Sequence, residues 1–163
     1  MWHISTKKMI VLSLALFSLA ALFAASLHGF DRGRREGAIR ENLVRLIDTC
    51  SAGASCKVSL GAVTDFEWDR VAVFEVGATP ARLSEALGAK YSGETDLTSG
   101  VVFSKAGAVV HEETFVLDPE KPAKLRYDVE DAAHVKGYSR AEANFEASKK
   151  SIDGTAYYTI HAR

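Results

Sequence analysis

Two acidic residues are the first candidates for chemistry in this chain. The stretch DFEWDRVAVFEV, residues 65 to 76, alternates so that Glu67 and Asp69 share one face of a predicted strand. Carboxylates two residues apart on a strand lie about 7 Å from each other, and glycoside hydrolysis uses two carboxylates roughly 5 to 10 Å apart. The pair is therefore a candidate for a hydrolase, although the same alternation is typical of a solvated, salt-bridged face, which we favour.

Histidines beside acids raise the question of a metal centre. His111 precedes Glu112 and Glu113, and His134 and His161 follow further along the chain. A zincin motif needs two histidines one helical turn apart with a glutamate between them, whereas the HEET run lies in a predicted strand. The sequence also lacks a G-x-S-x-G nucleophile motif and a glycine-rich phosphate loop. We therefore predict no metal site and no cofactor, and assign no catalytic residue.

The cysteines predict a disulfide. Cys50 and Cys56, the two cysteines of the chain, flank small, flexible residues in the run CSAGASC. Such a loop lets the two sulfurs meet, and a disulfide persists in an oxidising compartment. The alternative is a pair of free thiols at a helix end. The spacing excludes a Cys-X-X-Cys redox centre, and a structural zinc ion would need four ligands.

Three aromatic residues form a candidate binding surface. Trp68, Tyr157 and Tyr158 are of the types enriched where proteins recognise their partners. The alternative for Trp68 is a place in the hydrophobic core. Tyr157 and Tyr158 are adjacent on a predicted strand and so point to opposite faces, which predicts that at least one is exposed unless both faces are covered.

The N-terminal part predicts a membrane segment. After a flank of residues 1–8, the uncharged run MIVLSLALFSLAALFAASL, residues 9–27, would span about 28 Å as a helix, close to the roughly 30 Å of bilayer hydrocarbon. We predict a transmembrane anchor over residues 9–28. The alternative is a cleaved signal peptide, because ALFAASL offers small residues at a plausible cleavage site.

Two signals disagree about the side of the membrane on which the soluble part lies. Lys7 and Lys8 precede the apolar run, whereas Arg32, Arg34 and Arg35 follow it, and this excess argues for a cytoplasmic domain. The predicted disulfide argues for the outside. We expect a single-pass cell-membrane protein with an extracytoplasmic domain, or a secreted or periplasmic protein if the segment is cleaved.

Local patterns predict the elements that would position these residues. After a linker over residues 29–37, AIRENLVRLIDTC has the three-and-four spacing of an amphipathic helix. GATPARLSEALG predicts a short helix with Thr79 as N-cap, Pro80 in the first turn and Gly88 as the stop.

Strand patterns fill the rest of the chain. Residues 100 to 117 predict a hairpin with its turn at Ala106 and Gly107, AKLRYDVE predicts a further strand, and a second hairpin turns at Asp153 and Gly154. The prediction is a single α+β domain over residues 38–163, with a mostly antiparallel sheet of five or six strands and one short helix.

The run EWDRVAVFEVGATPARLSEALG resembles a segment of small exported or membrane-anchored bacterial proteins of unknown function. In those proteins a WD(K/R)V strand leads into a proline-started helix ending in Leu-Gly, followed by a hairpin with glycine at its turn. The resemblance covers residues 66–113 and departs where Glu75 and Val76 replace a glycine-proline turn. It implies an envelope location and no activity.

Composition limits the partners. Lys and Arg total 20 against 21 Asp and Glu, a net charge of −1, so no basic field would hold nucleic acid. The expected partners are a membrane, through residues 9–27, and an envelope protein or ligand. We predict a non-catalytic envelope binding module; the alternative is a cell-envelope hydrolase that uses the paired carboxylates of the strand at residues 65–76.

Overall fold

The computed structural model describes residues 37–50, 55–118 and 120–163. The predicted flank and membrane segment, residues 1–8 and 9–28, lie outside these residues, as does the linker apart from Gly37. Within the described part of the chain, no helix is long and apolar enough to span a bilayer.

The described residues form three helices and eight strands. In chain order these are α1 (Ala38–Asp48), β1 (Cys56–Ser59), α2 (Leu60–Val63), β2 (Arg70–Phe74), α3 (Pro80–Leu87), β3 (Thr98–Lys105), β4 (Ala108–Val116), β5 (Leu125–Val129), β6 (Val135–Ser139), β7 (Asn144–Ile152) and β8 (Thr155–Ala162).

The predicted fold class is wrong, because the strands form two sheets and not one sheet of five or six strands. Sheet 1 has the order β1-β7-β8-β5, and sheet 2 has the order β4-β3-β2-β6. All neighbouring strands are antiparallel except β5 and β8, which are parallel. Alternation reveals a strand and its buried face, but it does not reveal which sheet receives the strand. Strand β6, with Gly137 at its centre, was not predicted at all.

The two sheets face each other across the main core. Its buried side chains include Val58, Phe145 and Ile160 from sheet 1, and Val71, Val73 and Phe103 from sheet 2. Helix α3 covers the other face of sheet 2, where Leu83 and Leu87 pack near Ala72 and Phe74 of β2. Strand β2 is therefore covered on both faces, which explains its uninterrupted run of apolar residues.

The predicted strand at residues 65–76 is shorter than its alternation indicates. Strand β2 begins at Arg70, and Phe66 and Trp68 lie in the irregular segment before it. Trp68 belongs to the same core as Val71 and Val73, and not to the face of Ala72. Extending the period of two back from β2 would place Trp68 on the face of Ala72, but that period holds only within a strand.

The cap residues of α3 and the turns of the two hairpins were predicted correctly. The N-cap of α3 is Thr79, whose side chain accepts from the backbone N–H of Arg82, and Gly88 ends the helix with a left-handed φ of 61°. The turn between β7 and β8 has positive φ at both Asp153 and Gly154, as a two-residue hairpin turn of type I′ requires. The turn between β3 and β4 is also confirmed.

The disulfide between Cys50 and Cys56 is confirmed. Their Cα atoms lie 6.2 Å apart. Cys50 follows α1 and Cys56 begins β1, so the bond ties the end of the helix to the edge strand of sheet 1.

The N-terminus of α1 is capped from another element. Gly37, its N-cap, has no side chain to accept the first backbone N–H groups. Glu113 of β4 accepts those of Ile39 at 3.1 Å and Arg40 at 2.9 Å. Burial raises the pKa of Glu113, while the N–H groups of Arg40 and Ile39 act to lower it. The carboxyl thus fastens α1 to sheet 2.

Candidate functional site

The acids of the predicted hydrolase site have structural partners. Glu67 is 81% exposed and forms an ion pair with Lys105, which lowers the pKa of Glu67. Asp69 Oδ2 accepts the backbone N–H of Ala106 at 2.8 Å. Both acids hold the β3–β4 turn against the segment before β2. A general acid for glycan cleavage needs a raised pKa, whereas the pKa of Glu67 is lowered, so Glu67 does not suit that role.

The three aromatic residues do not form one surface. Trp68 is 2% exposed, and its Nε1 donates to Thr64 Oγ1 at 2.9 Å. Tyr158 is also buried, and its hydroxyl donates to Asp48 Oδ1 at 2.8 Å. Tyr157 is half-buried on the opposite face of sheet 1.

The histidines are distributed over the fold. His111 contacts the ring of Phe66, and His134 Nδ1 lies 3.0 Å from Glu75 Oε1. Across residues 37–50, 55–118 and 120–163, no three His, Cys, Asp or Glu side chains come together in a way that could hold a metal ion.

A cleft that the sequence did not reveal lies between α1 and the chain from β4 to β5. Its volume is about 790 Å³, within the roughly 300 to 1,000 Å³ of typical small-molecule sites. The apolar part of its lining comprises Val44 of α1, Phe115 and Val116 of β4, and Ala123 and Leu125 at the start of β5. The stack of Phe115 on Tyr127, with ring centroids 6.3 Å apart, supports one wall.

The charged part of the cleft lining is predominantly positive. Its basic side chains are Arg40, Arg45, Lys121 and Lys124, and its acidic side chains are Glu41 and Asp48. Lys149, outside the lining, lies 2.5 Å from Asp48 and lowers the pKa of its carboxyl. The cleft therefore favours an anionic group.

Exposed apolar residues adjoin the cleft. Val116, in its lining, is 68% exposed, and Leu117 and Leu97 are exposed beside it. The backbone N–H of Leu117 donates to the carbonyl of Leu97 at 2.6 Å, which brings these two residues together. Clustered exposed apolar side chains mark surfaces that contact a ligand or partner.

A second group of polar side chains lies on the solvent-facing side of sheet 1. Ser148 Oγ is 3.0 Å from His161 Nε2, and His161 Nδ1 is 2.8 Å from Asp128 Oδ2. Sequence reasoning noticed His161 but missed the other two residues, because 13 and 33 positions separate them from the histidine. Only the pairing of β7, β8 and β5 brings them together.

Comparison with known proteins finds no protein that resembles this chain at the cleft or at the group of Ser148, His161 and Asp128. No protein-family model, no curated protein and no solved structure matches the chain.

Proposed function

We propose that this protein is a binding module of the cell envelope, and that the cleft between α1 and the β4–β5 connection is its binding site. The observation that carries the proposal is the combination of an apolar wall with a mainly cationic rim in one cleft. The ligand of this chemistry is a small amphiphile, in which an anionic head group is attached to an apolar chain.

The two parts of the cleft match the two parts of such a ligand. Arg40, Arg45 and Lys124 offer charge-assisted hydrogen bonds to a carboxylate or phosphate head. Val44 and Phe115 remove an apolar chain from water, which contributes about 25 cal/mol per Å² buried. The lining holds no His, Cys or Ser, so its residue types suit binding and not acyl or proton transfer.

The envelope location is part of the proposal. The Cys50–Cys56 disulfide supports an oxidising compartment, and residues 9–27 supply the segment that would anchor or export the domain. A hydrolase that uses Glu67 and Asp69 remains the alternative prediction, but neither of these residues lines this cleft.

The test measures binding of a dansyl-labelled C11 fatty acid by fluorescence, with its methyl ester as the uncharged control. We expect the acid to bind more tightly than the ester. Replacing Arg45 and Lys124 together by Gln should weaken binding of the acid about 5- to 30-fold, since two exposed charge pairs contribute about 0.5 to 1 kcal/mol each.

Lys57→Gln is the matched control, because Lys57 is an exposed cation of β1 that does not line the cleft. This variant should bind the labelled acid as the wild type does. A lack of binding, or equal affinities for the acid in the wild type and the Arg45/Lys124 double variant, would overturn the proposal.

A further inference from the structure

Ser148, His161 and Asp128 are brought into line by strand register. The parallel pairing of β5 with β8 sets Asp128 directly beside His161. The antiparallel pairing of β7 with β8 sets Ser148 opposite Thr159, two residues before His161 on the same face of the sheet. Three neighbouring strands therefore place a hydroxyl, an imidazole and a carboxylate in one row of hydrogen bonds.

The hydrogen bonds fix the role of each nitrogen of His161. An ionised Asp128 can only accept, so Nδ1 of His161 carries the hydrogen that it donates to the carboxylate. In the neutral imidazole, the Nε2 atom then has a free lone pair that accepts the hydroxyl hydrogen of Ser148. A serine paired with Nε2 and an aspartate paired with Nδ1 is the connectivity by which a histidine activates a nucleophilic serine.

We propose that Ser148 is a nucleophile that accepts acyl groups from activated esters, with His161 as general base and Asp128 as the positioning residue. This activity is additional to the binding function and does not depend on it. Along β8, Tyr158 points into the core near the cleft, whereas His161 points to the solvent. Along β5, Leu125 and Arg126 differ in the same way.

The reaction balances with water as the only co-reactant. Ser148 Oγ bonds to the carbonyl carbon of the ester while its proton passes to His161 Nε2. The bond to the leaving group then breaks, and the leaving alcohol takes that proton. Water, deprotonated in turn by His161, attacks the acyl-serine, releases the carboxylic acid and restores the hydroxyl of Ser148.

The substrate class follows from what surrounds Ser148. Strand β7 pairs with β8 at Ser148, whereas its pairing with β1 ends at Ala147. Backbone N–H groups of a strand point along the plane of the sheet, while the Ser148 side chain projects from its face, so these N–H groups do not converge on the hydroxyl as an oxyanion hole requires. Arg126 is the neighbouring cation, and its Nε donates to Thr159 Oγ1 at 3.3 Å, beside Ser148. One exposed guanidinium stabilises an oxyanion weakly, so the site suits aryl esters and thioesters, whose leaving groups need little assistance.

Access from solvent is open. The side chains of His161 and Asp128 are 21% and 53% exposed, and Ser148 is half-buried. An ester in solution can therefore approach the hydroxyl without a conformational change.

The experiment treats the purified full-length chain, in mild detergent, with a fluorophosphonate probe and locates the label by peptide mass spectrometry. We expect one label, on Ser148, and turnover of p-nitrophenyl acetate at a rate above background. Ser148→Ala should abolish both. Ser151→Ala is the matched control, because Ser151 is an exposed serine of the same strand whose cross-strand partner is Ala156.

A second pair of variants tests whether His161 and Asp128 activate Ser148, or whether Ser148 is labelled only because it is exposed. His161→Gln should slow labelling at least 10-fold, and Asp128→Asn should slow it by a smaller factor.

Three outcomes would overturn the proposal: absence of labelling, labelling that persists in Ser148→Ala, or equal rates in His161→Gln and the wild type. Failure here is distinguishable from failure of the binding proposal, because Ser148→Ala should bind the labelled fatty acid as the wild type does.

Discussion

Trp68 is of a residue type that is common at binding surfaces, but in this protein it packs in the hydrophobic core. Its ring packs against Phe103, with centroids 5.1 Å apart, and its indole nitrogen has Thr64 Oγ1 as acceptor. The guanidinium of Arg140 lies 5.2 Å from the ring centroid. Every part of the side chain therefore has a partner within the domain. Glu67, one residue earlier, extends into solvent and pairs with Lys105.

This contrast predicts opposite sensitivities at adjacent positions. Trp68→Ala should lower the free energy of unfolding by about 3 to 5 kcal/mol, the usual cost of emptying a large aromatic site. Glu67→Gln should change it little, since exposed ion pairs contribute little. Urea unfolding followed by circular dichroism measures both. A larger loss for Glu67→Gln than for Trp68→Ala would contradict the assignment of Trp68 to the core.

At the scale of elements, the position of α3 depends on a residue without a side chain. Gly137 lies in β6 opposite Ala72 of β2. A Cβ atom at Gly137 would collide with the backbone of Ala86 in α3. The glycine therefore lets the helix approach sheet 2 closely, which buries Leu83 and Leu87 completely or nearly so.

We therefore expect Gly137→Ala to destabilise the domain by about 1 to 3 kcal/mol, the usual cost of overpacking. Backbone strain does not contribute, because Gly137 is not among the residues with positive φ. Gly61→Ala is the control: a Cβ there meets only ordinary contacts, the nearest at 3.6 Å, and alanine suits a helix better than glycine. Equal melting temperatures for the Gly137→Ala variant and the wild type would show that α3 packs less closely on sheet 2 than in this structure.

At the scale of the whole molecule, α1 is held by bonds to both sheets. Glu113 of sheet 2 caps its first turn, and the disulfide ties its far end to β1 of sheet 1. Near that end, Asp48 also bonds Lys149 and Tyr158 of sheet 1. One wall of the cleft is thereby fixed relative to the other, and a site of fixed shape loses less entropy when it binds.

We predict that Cys50 and Cys56 are joined in protein isolated from its native compartment. Alkylation without reductant followed by mass spectrometry should find neither thiol modified. Replacing both cysteines by serine should lower the free energy of unfolding by about 2 kcal/mol, the low end for a short loop. Two alkylated thiols in freshly isolated protein would contradict the disulfide and, together with protease protection in spheroplasts, would place the domain in the cytoplasm.

Features that depend on a few neighbouring residues could be predicted from the sequence. Thr79, Pro80 and Gly88 define α3 because a helix cap involves only the residues beside it. Asp153 and Gly154 define a hairpin turn for the same reason. The disulfide belongs to this group, since a short flexible loop joins its cysteines.

The way in which these elements combine depends on contacts between residues that are far apart in the chain. Alternation along β5 and β8 does not show that they pair in parallel, and nothing local in VKGYS indicates that Gly137 lies beneath α3. Both candidate sites arise from such distant pairings: the cleft from α1 and β4, and the hydrogen-bonded row from Asp128, Ser148 and His161. The physical reason is that strand pairing and helix packing are selected by the burial of the whole core, which no short stretch of residues specifies.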